Sequence, residues 1–134
     1  MKLEEIMNKN LEIIDPEATV YDAIERLVDK RIRSLVIAPE KGKNDYGVIT
    51  VRDIVFKVFH KGLDIQKTKI KEIASQPLIC IHKDTHIKEI IDLMASSNIA
   101  RVFVCENNKV VGVVSLLDIL KAFLIQKVKG EKVV

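Results

Sequence analysis

Aromatic residues are scarce: they make up 4% of the 134 residues, and tryptophan is missing altogether. A core must therefore be aliphatic, and the stacking platforms of nucleic-acid binders do not stand out. Charge of one sign is scarce too. The formal net charge is +3 and the pI about 8.8. The positive residues are spread, thickening only at Lys121, Lys127, Lys129 and Lys132. There they suit the C-terminal end of a helix dipole, so a nucleic-acid partner is not expected. No run approaches the ~20 apolar residues needed to span a bilayer. Met1–Asn10 carries two glutamates and lacks the apolar core of a secretory signal. The expectation is a cytoplasmic protein without a membrane partner.

Motifs of familiar chemistry are equally thin. Cys80 and Cys105 fall in apolar, strand-like runs, form no Cys-x-x-Cys, and read as small buried thiols. His82 and His86 lie four apart near Cys80, short of the three or four converging ligands of a metal site. Lys41–Gly47 bears glycine but lacks the Walker pattern, and reads as a hairpin turn. No nucleophile–base pair or carboxylate pair emerges, so the chain is not expected to be an enzyme and gives no sign of requiring a cofactor.

What the chain does have is aliphatic residues and a repeat. Hydrophobic residues are 48% of the sequence, enough to bury a core in one chain of ordinary domain length. Gly47-Val48-Ile49-Thr50-Val51-Arg52-Asp53-Ile54 returns 65 residues later as Gly112-Val113-Val114-Ser115-Leu116-Leu117-Asp118-Ile119. Upstream, Ile14, Val20, Ile24 and Ile32 return 67 residues later as Ile81, Ile87, Ile91 and Ile99. The two-residue difference falls in the turn after the second strand. Repetition at this period sets the architecture before any residue is given a role.

Each copy reads in the same order. A lead of a helical turn or two (Leu3–Met7; Ile70–Ala74) precedes a short strand (Glu12–Ile14; Leu78–Ile81). An amphipathic helix follows, with Val20, Ala23, Ile24, Leu27 and Val28, or Ile87, Ile90, Ile91, Met94 and Ala95, at helical spacing. Two strands come next, Leu35–Ala38 with Gly47–Thr50 and Val102–Cys105 with Val110–Ser115. Asn107-Asn108 tolerates the positive φ of a tight turn. Final helices, Ile54–Lys61 and Ile119–Lys127, are apolar on more than one face, which implies burial on two sides or a partner. The fold class is α/β, two β-α-β-β-α units in one module spanning 1–134, the first 1–66 and the second 67–134. Two such units should pack face to face with a ligand at their seam.

The strand-to-helix turn is the one constellation with chemical promise. Ser115 is the expected N-cap and Asp118 the third helical residue; Thr50 and Asp53 repeat the arrangement. N–H groups of a first helical turn suit an anion, and a carboxylate there can accept two hydroxyls of a ribose, as in dinucleotide-binding folds. Gly112 permits close approach of backbone or ligand. The same spacing is also a capping box, which Thr19 and Asp22 show away from any expected ligand.

The unit order, the spacing and the duplicated G-h-h-[ST]-x-x-D-h signature resemble the CBS domain family, nearly the whole chain forming one tandem pair, a Bateman module. The resemblance implies pseudo-twofold packing and a regulatory module that binds AMP, ADP or ATP, with S-adenosylmethionine as an alternative. In nucleotide-binding pairs each site mixes both copies. Carried over, one site holds Ser115 and Asp118 with Asn8, Ile32 and Arg33, and Arg101 matches an arginine that meets phosphate. The other holds Thr50 and Asp53 with Ser75, Ile99 and Ala100. Ser34 stands where Arg101 stands in the other copy, so the sites should be unequal and the Asp118 site tighter for charged nucleotides. Arg52 is either a substitute phosphate ligand or a surface ion-pairing residue. The resemblance further implies a homodimer and a regulated protein in trans. The alternative reading is a dimerisation or scaffolding module with vestigial sites.

Overall fold

The computed structural model describes residues 2–75 and 78–130. Lys132 and the rest of the tail beyond Gly130 lie outside the described residues. The chain divides into two compact units, Glu12–Leu78 and Met1–Leu11 with Ile79–Val134.

In the first unit, β1 (Ile13–Ile14) runs parallel to β2 (Ser34–Ile37), which pairs antiparallel with β3 (Gly47–Thr50). The helix α1 (Val20–Lys30) crosses between β1 and β2. Its start is fixed by Thr19 and Asp22, whose side chains each accept the other's backbone N–H, a reciprocal cap. It ends at Arg31 in the left-handed region (φ 54°), where the Ile32 N–H donates back to Leu27. This end turns Ile32 inward. The core is aliphatic: Ile14, Val20, Ala23, Leu27, Leu35, Ile37, Ile49, Ile54 and Val58, with Ile70 and Ile73.

The second unit repeats the plan. β4 (Cys80–Ile81) is parallel to β5 (Arg101–Glu106), and β5 is antiparallel to β6 (Lys109–Ser115). α3 (Ile87–Ser97) ends at Asn98 with φ 52°, the counterpart of Arg31, and Ile99 donates back to Met94. Asn107 and Asn108 have φ 51° and 64°, the tight turn expected between β5 and β6. Leu3 and Ile6 join Ile87, Ile90, Met94, Val102, Val104, Val114, Ile119 and Ala122 in this core.

Each lead therefore folds onto the strands of the other repeat. Leu3–Glu5 and Ile70–Glu72 form single tight turns. Beyond them Asn8 exchanges backbone bonds with Val113 (2.9 and 3.0 Å), and Ser75 does so with Val48 (3.0 and 3.5 Å). The compact units are consequently not the contiguous stretches 1–66 and 67–134.

The final helices differ. In the second unit α4 runs regularly from Leu116 to Lys129. In the first, α2 (Val51–Asp53) passes into wider π-helical turns over Ile54–Phe59, where His60 donates to Val55. Gly62 (φ 68°) ends it. Both present apolar side chains outward: Val51, Val55, Phe56 and Phe59 in one, Leu116, Leu117, Leu120, Phe123, Leu124 and Val128 in the other. No helix of the described residues is long and apolar enough to cross a membrane.

The reading of Cys80 and Cys105 as separate buried thiols is corrected. They form a disulfide across β4 and β5, with Cα atoms 5.5 Å apart. Parallel pairing sets Cys80 against Phe103, which leaves Cys105 two residues along on the same face of the sheet. Cys80 is exposed and Cys105 half-buried. The corresponding positions of the first unit, Ile13 and Ala38, are apolar.

Candidate ligand site: two strand-to-helix junctions

At the end of β6 the chain turns from extended backbone at Ser115 (φ −103°, ψ 170°) directly into α4. The Asp118 N–H donates to Ser115 Oγ (3.3 Å). The Ser115 N–H (2.8 Å) and hydroxyl (3.0 Å) both donate to Asp118 Oδ2. The carboxylate is thus oriented by its own cap and remains half-buried. Around it, Arg101 stands opposite Ser115 in the β5–β6 register, and the Leu116 N–H donates to Ala100. Asn8 lies one strand over, its side chain accepting from the Asn10 N–H (2.9 Å). This unit thus gathers Asn8, Ile99, Ala100, Arg101, Ser115 and Asp118.

Gly112 permits a close approach, here of a side chain. A Cβ there would lie 2.6 Å from Met7 Sδ of the lead segment.

The other junction begins alike. The Asp53 N–H donates to Thr50 Oγ1 (3.1 Å), and the Thr50 N–H to Asp53 Oδ2 (2.9 Å). Ser34 faces Thr50 in the β2–β3 register, and the Val51 N–H donates to Arg33 (3.0 Å). Here the similarity stops. Lys57 Nζ lies 3.0 Å from Asp53 Oδ1. The same ammonium donates to the Ile73 carbonyl (3.2 Å) and to Ser75 Oγ (3.4 Å). The Ser75 hydroxyl donates to Asp53 Oδ1 (3.0 Å). This unit gathers Ile32, Arg33, Thr50, Asp53 and Ser75, and adds Lys57, which sequence reasoning missed. Its signal was the four-residue Asp-to-Lys spacing on one helix face.

Asp53 is 7% exposed. Burial pushes its carboxyl up, but the bonds from Thr50, Lys57 and Ser75 together outweigh burial, and it titrates below its ordinary 3.8. Arg52 lies over the Phe56 ring, 5.0 Å from the centroid, a cation–π contact on the helix surface.

Other groupings lead elsewhere. An open groove of about 440 Å³ along α1 is lined by Asp15, Asp22, Glu25 and Asp29 with Arg26 and Lys30, and contains no junction residue. Exposed Glu17 is bridged to Lys69 and Lys71, whose hydrogen bonds hold its pKa at about 2. Among the described residues no group of His, Cys, Asp and Glu is placed to hold a metal.

Comparison with known proteins follows the same duplication. The chain matches the CBS domain family twice, over residues 3–60 and 70–125. An uncharacterized protein of Methanopyrus kandleri is 30% identical over 95% of this chain and 66% of its own length. Inosine-5'-monophosphate dehydrogenase of Methanocaldococcus jannaschii is 27% identical over 90% of this chain, which spans only 23% of that enzyme. Among solved structures, a hexameric CBS-CP12 protein from bloom-forming cyanobacteria superposes with a TM-score of 0.81 at 31% identity, over 90% of this chain and 69% of that one. An uncharacterized conserved protein from Pyrococcus horikoshii gives 0.81 at 27% identity, covering 91% of each chain. The duplicated junction, the two three-stranded sheets and this double match make the chain a member of the CBS domain family, with one tandem pair of repeats.

Proposed function

We propose that this tandem CBS module is a regulatory sensor for an adenosine nucleotide of the AMP, ADP or ATP type, with no catalysis of its own. The observation that carries the reading is the Ser115–Asp118 junction. Its carboxylate is fixed by two donors from one residue, and it sits at the mouth of a regular helix of 14 residues. A carboxylate so held accepts the hydroxyls of a ribose. The first-turn N–H groups and Arg101 supply positive potential for phosphate. The aliphatic Ile99, gathered in the same unit, suits a face of an adenine. S-adenosylmethionine shares the ribose and adenine but lacks the phosphate, so Arg101 disfavours it.

Such a module acts through a protein in trans or a neighbouring catalytic domain. The likeness to a segment of inosine-5'-monophosphate dehydrogenase supports service to a separate active site. The apolar outward faces of α2 and α4 support self-association as a homodimer, and the similar cyanobacterial protein is hexameric. A nucleotide ligand accords with a cytoplasmic location. These same faces favour a second reading, an assembly module whose junctions are vestigial.

Thermal shift and calorimetry with ATP, ADP, AMP, adenosine, S-adenosylmethionine and NAD separate the two. The sensor reading expects stabilisation of about 2.7 kcal/mol at a hundred-fold excess of ligand over Kd. It also expects Arg101→Ala to weaken AMP by roughly ten-fold or more, through loss of a charge-assisted bond, while adenosine changes little. Flat responses throughout support assembly alone, and equal losses for AMP and adenosine contradict the phosphate role.

A further inference from the structure

We infer that Lys57 is an internal occupant of the Asp53 junction, closing it to the ribose of a nucleotide, so that the chain takes up one ligand at Asp118 rather than two. The inference rests on the nucleotide-sensing reading of the Asp118 junction and specifies which half of the repeat performs it.

Hydrogen-bond capacity separates the two carboxylates. A carboxylate offers about four lone-pair positions. At Asp53 three are filled, by the Thr50 N–H on Oδ2 and by Lys57 and Ser75 on Oδ1. A ribose diol needs two acceptor positions side by side, and one is left. The ammonium is equally committed. Its three protons point to three oxygens, on Asp53, Ile73 and Ser75, at 3.0, 3.2 and 3.4 Å. Displacing it would strand a buried carboxylate without its neutralising charge and free a carbonyl and a hydroxyl at once. A neutral sugar hydroxyl does not replace the charge.

Among the described residues, no lysine stands at the matching position of the other junction. The position four beyond Asp118 is Ala122, fully buried in the core and without a polar atom to offer. Asn8, the counterpart of Ser75, spends its side-chain oxygen on the Asn10 N–H. One pair of substitutions, Lys against Ala at the fourth residue after the aspartate, thus separates a filled junction from an open one.

The inference also predicts what an emptied junction would take. With Lys57 removed, the junction loses its cation, and Ser34 rather than an arginine faces Thr50. A negative group is unwelcome beside the Asp53 carboxyl, so an uncharged nucleoside fits better than its phosphate.

The test is calorimetric stoichiometry with adenosine and AMP on the full chain. Wild type is expected to bind one equivalent of either per chain. Lys57→Met, whose side chain fills similar space without charge, is expected to bind two of adenosine, the second lost again in Lys57→Met with Asp53→Ala. Lys57→Arg keeps the cation and is expected to stay at one. Lys57 is 42% exposed, so folding should survive, and AMP binding at Asp118 reports that it has. Two equivalents in wild type, or one in a folded Lys57→Met, overturn the inference and leave the nucleotide reading standing. No binding to either protein overturns both.

Discussion

The two junctions begin as near copies and end differently. Thr50–Asp53 and Ser115–Asp118 share a strand end, a reciprocal cap and a carboxylate at the third helical position. In the first, the helix continues in wide π turns and a lysine comes back onto the carboxylate. In the second the helix is regular and the lysine position holds a buried alanine. On the proposed reading, the same local motif is structural in one setting and available to a ligand in the other. What decides is a residue outside the motif, so a signature alone does not say whether a site is open.

The repeats also differ in how their first strands are secured, and here the largest effect is expected. β1 is held by backbone pairing, apolar contact and a hydrogen bond from the Arg26 guanidinium to the Ile13 carbonyl (2.7 Å), whereas β4 is tied to β5 by Cys80–Cys105, closing a loop with a sequence separation of 25. Reduction by a dithiol should destabilise the second unit by ~3 kcal/mol from loop entropy, about 10 °C in Tm. Amide exchange should report the loss in Ile79–Val134 and spare Glu12–Leu78. An unchanged Tm after complete reduction, verified by alkylation mass, would remove the disulfide from the comparison.

A smaller contrast lies late in the final helices. Gln126 is 1% exposed, and among the described residues neither its amide nitrogen nor its oxygen has a partner. Its counterpart, Lys61, is exposed. Gln126→Met should raise stability by ~1 kcal/mol, because an unsatisfied buried amide is replaced by an apolar chain of similar length. A loss in chemical denaturation would mean that the amide has a partner in solution.

The subtlest contrast is in titration. Asp53 has a depressed folded pKa, so its stabilisation is full above the ordinary carboxylate value and drains away as pH falls through the folded value. Lys57→Met should move the Asp53 midpoint upward in carbon-detected NMR, since burial then has less opposition. An unmoved midpoint would mean that Lys57 does not neutralise the carboxylate.

Much of this was legible in the sequence. The repeat fixed two units, and the Thr19, Thr50 and Ser115 caps and the Asn107-Asn108 turn are local chemistry that side-chain reach and φ preference dictate. Three features were not legible in composition or periodicity, each for a non-local reason. Cys80 and Cys105 are 25 apart in apolar runs, and only parallel register sets them side by side. The exchange of leads came only through the family resemblance, which set Asn8 with Ser115 and Ser75 with Thr50, because periodicity cannot assign Leu3, Ile6, Ile70 and Ile73 to a core. Lys57 was visible as a spacing, but Ile73 and Ser75, which complete its shell, arrive from the lead of the other repeat.

The most direct test of the account is titration of AMP into wild type, Asp118→Ala and Asp53→Ala side by side. Loss of the Asp118 carboxylate should weaken AMP by roughly a hundred-fold, the scale of one to two hydrogen bonds to a charged group, and the Asp53 change should cost far less. Equal losses, or AMP binding that ignores Asp118, would contradict the claim that this carboxylate grips the sugar.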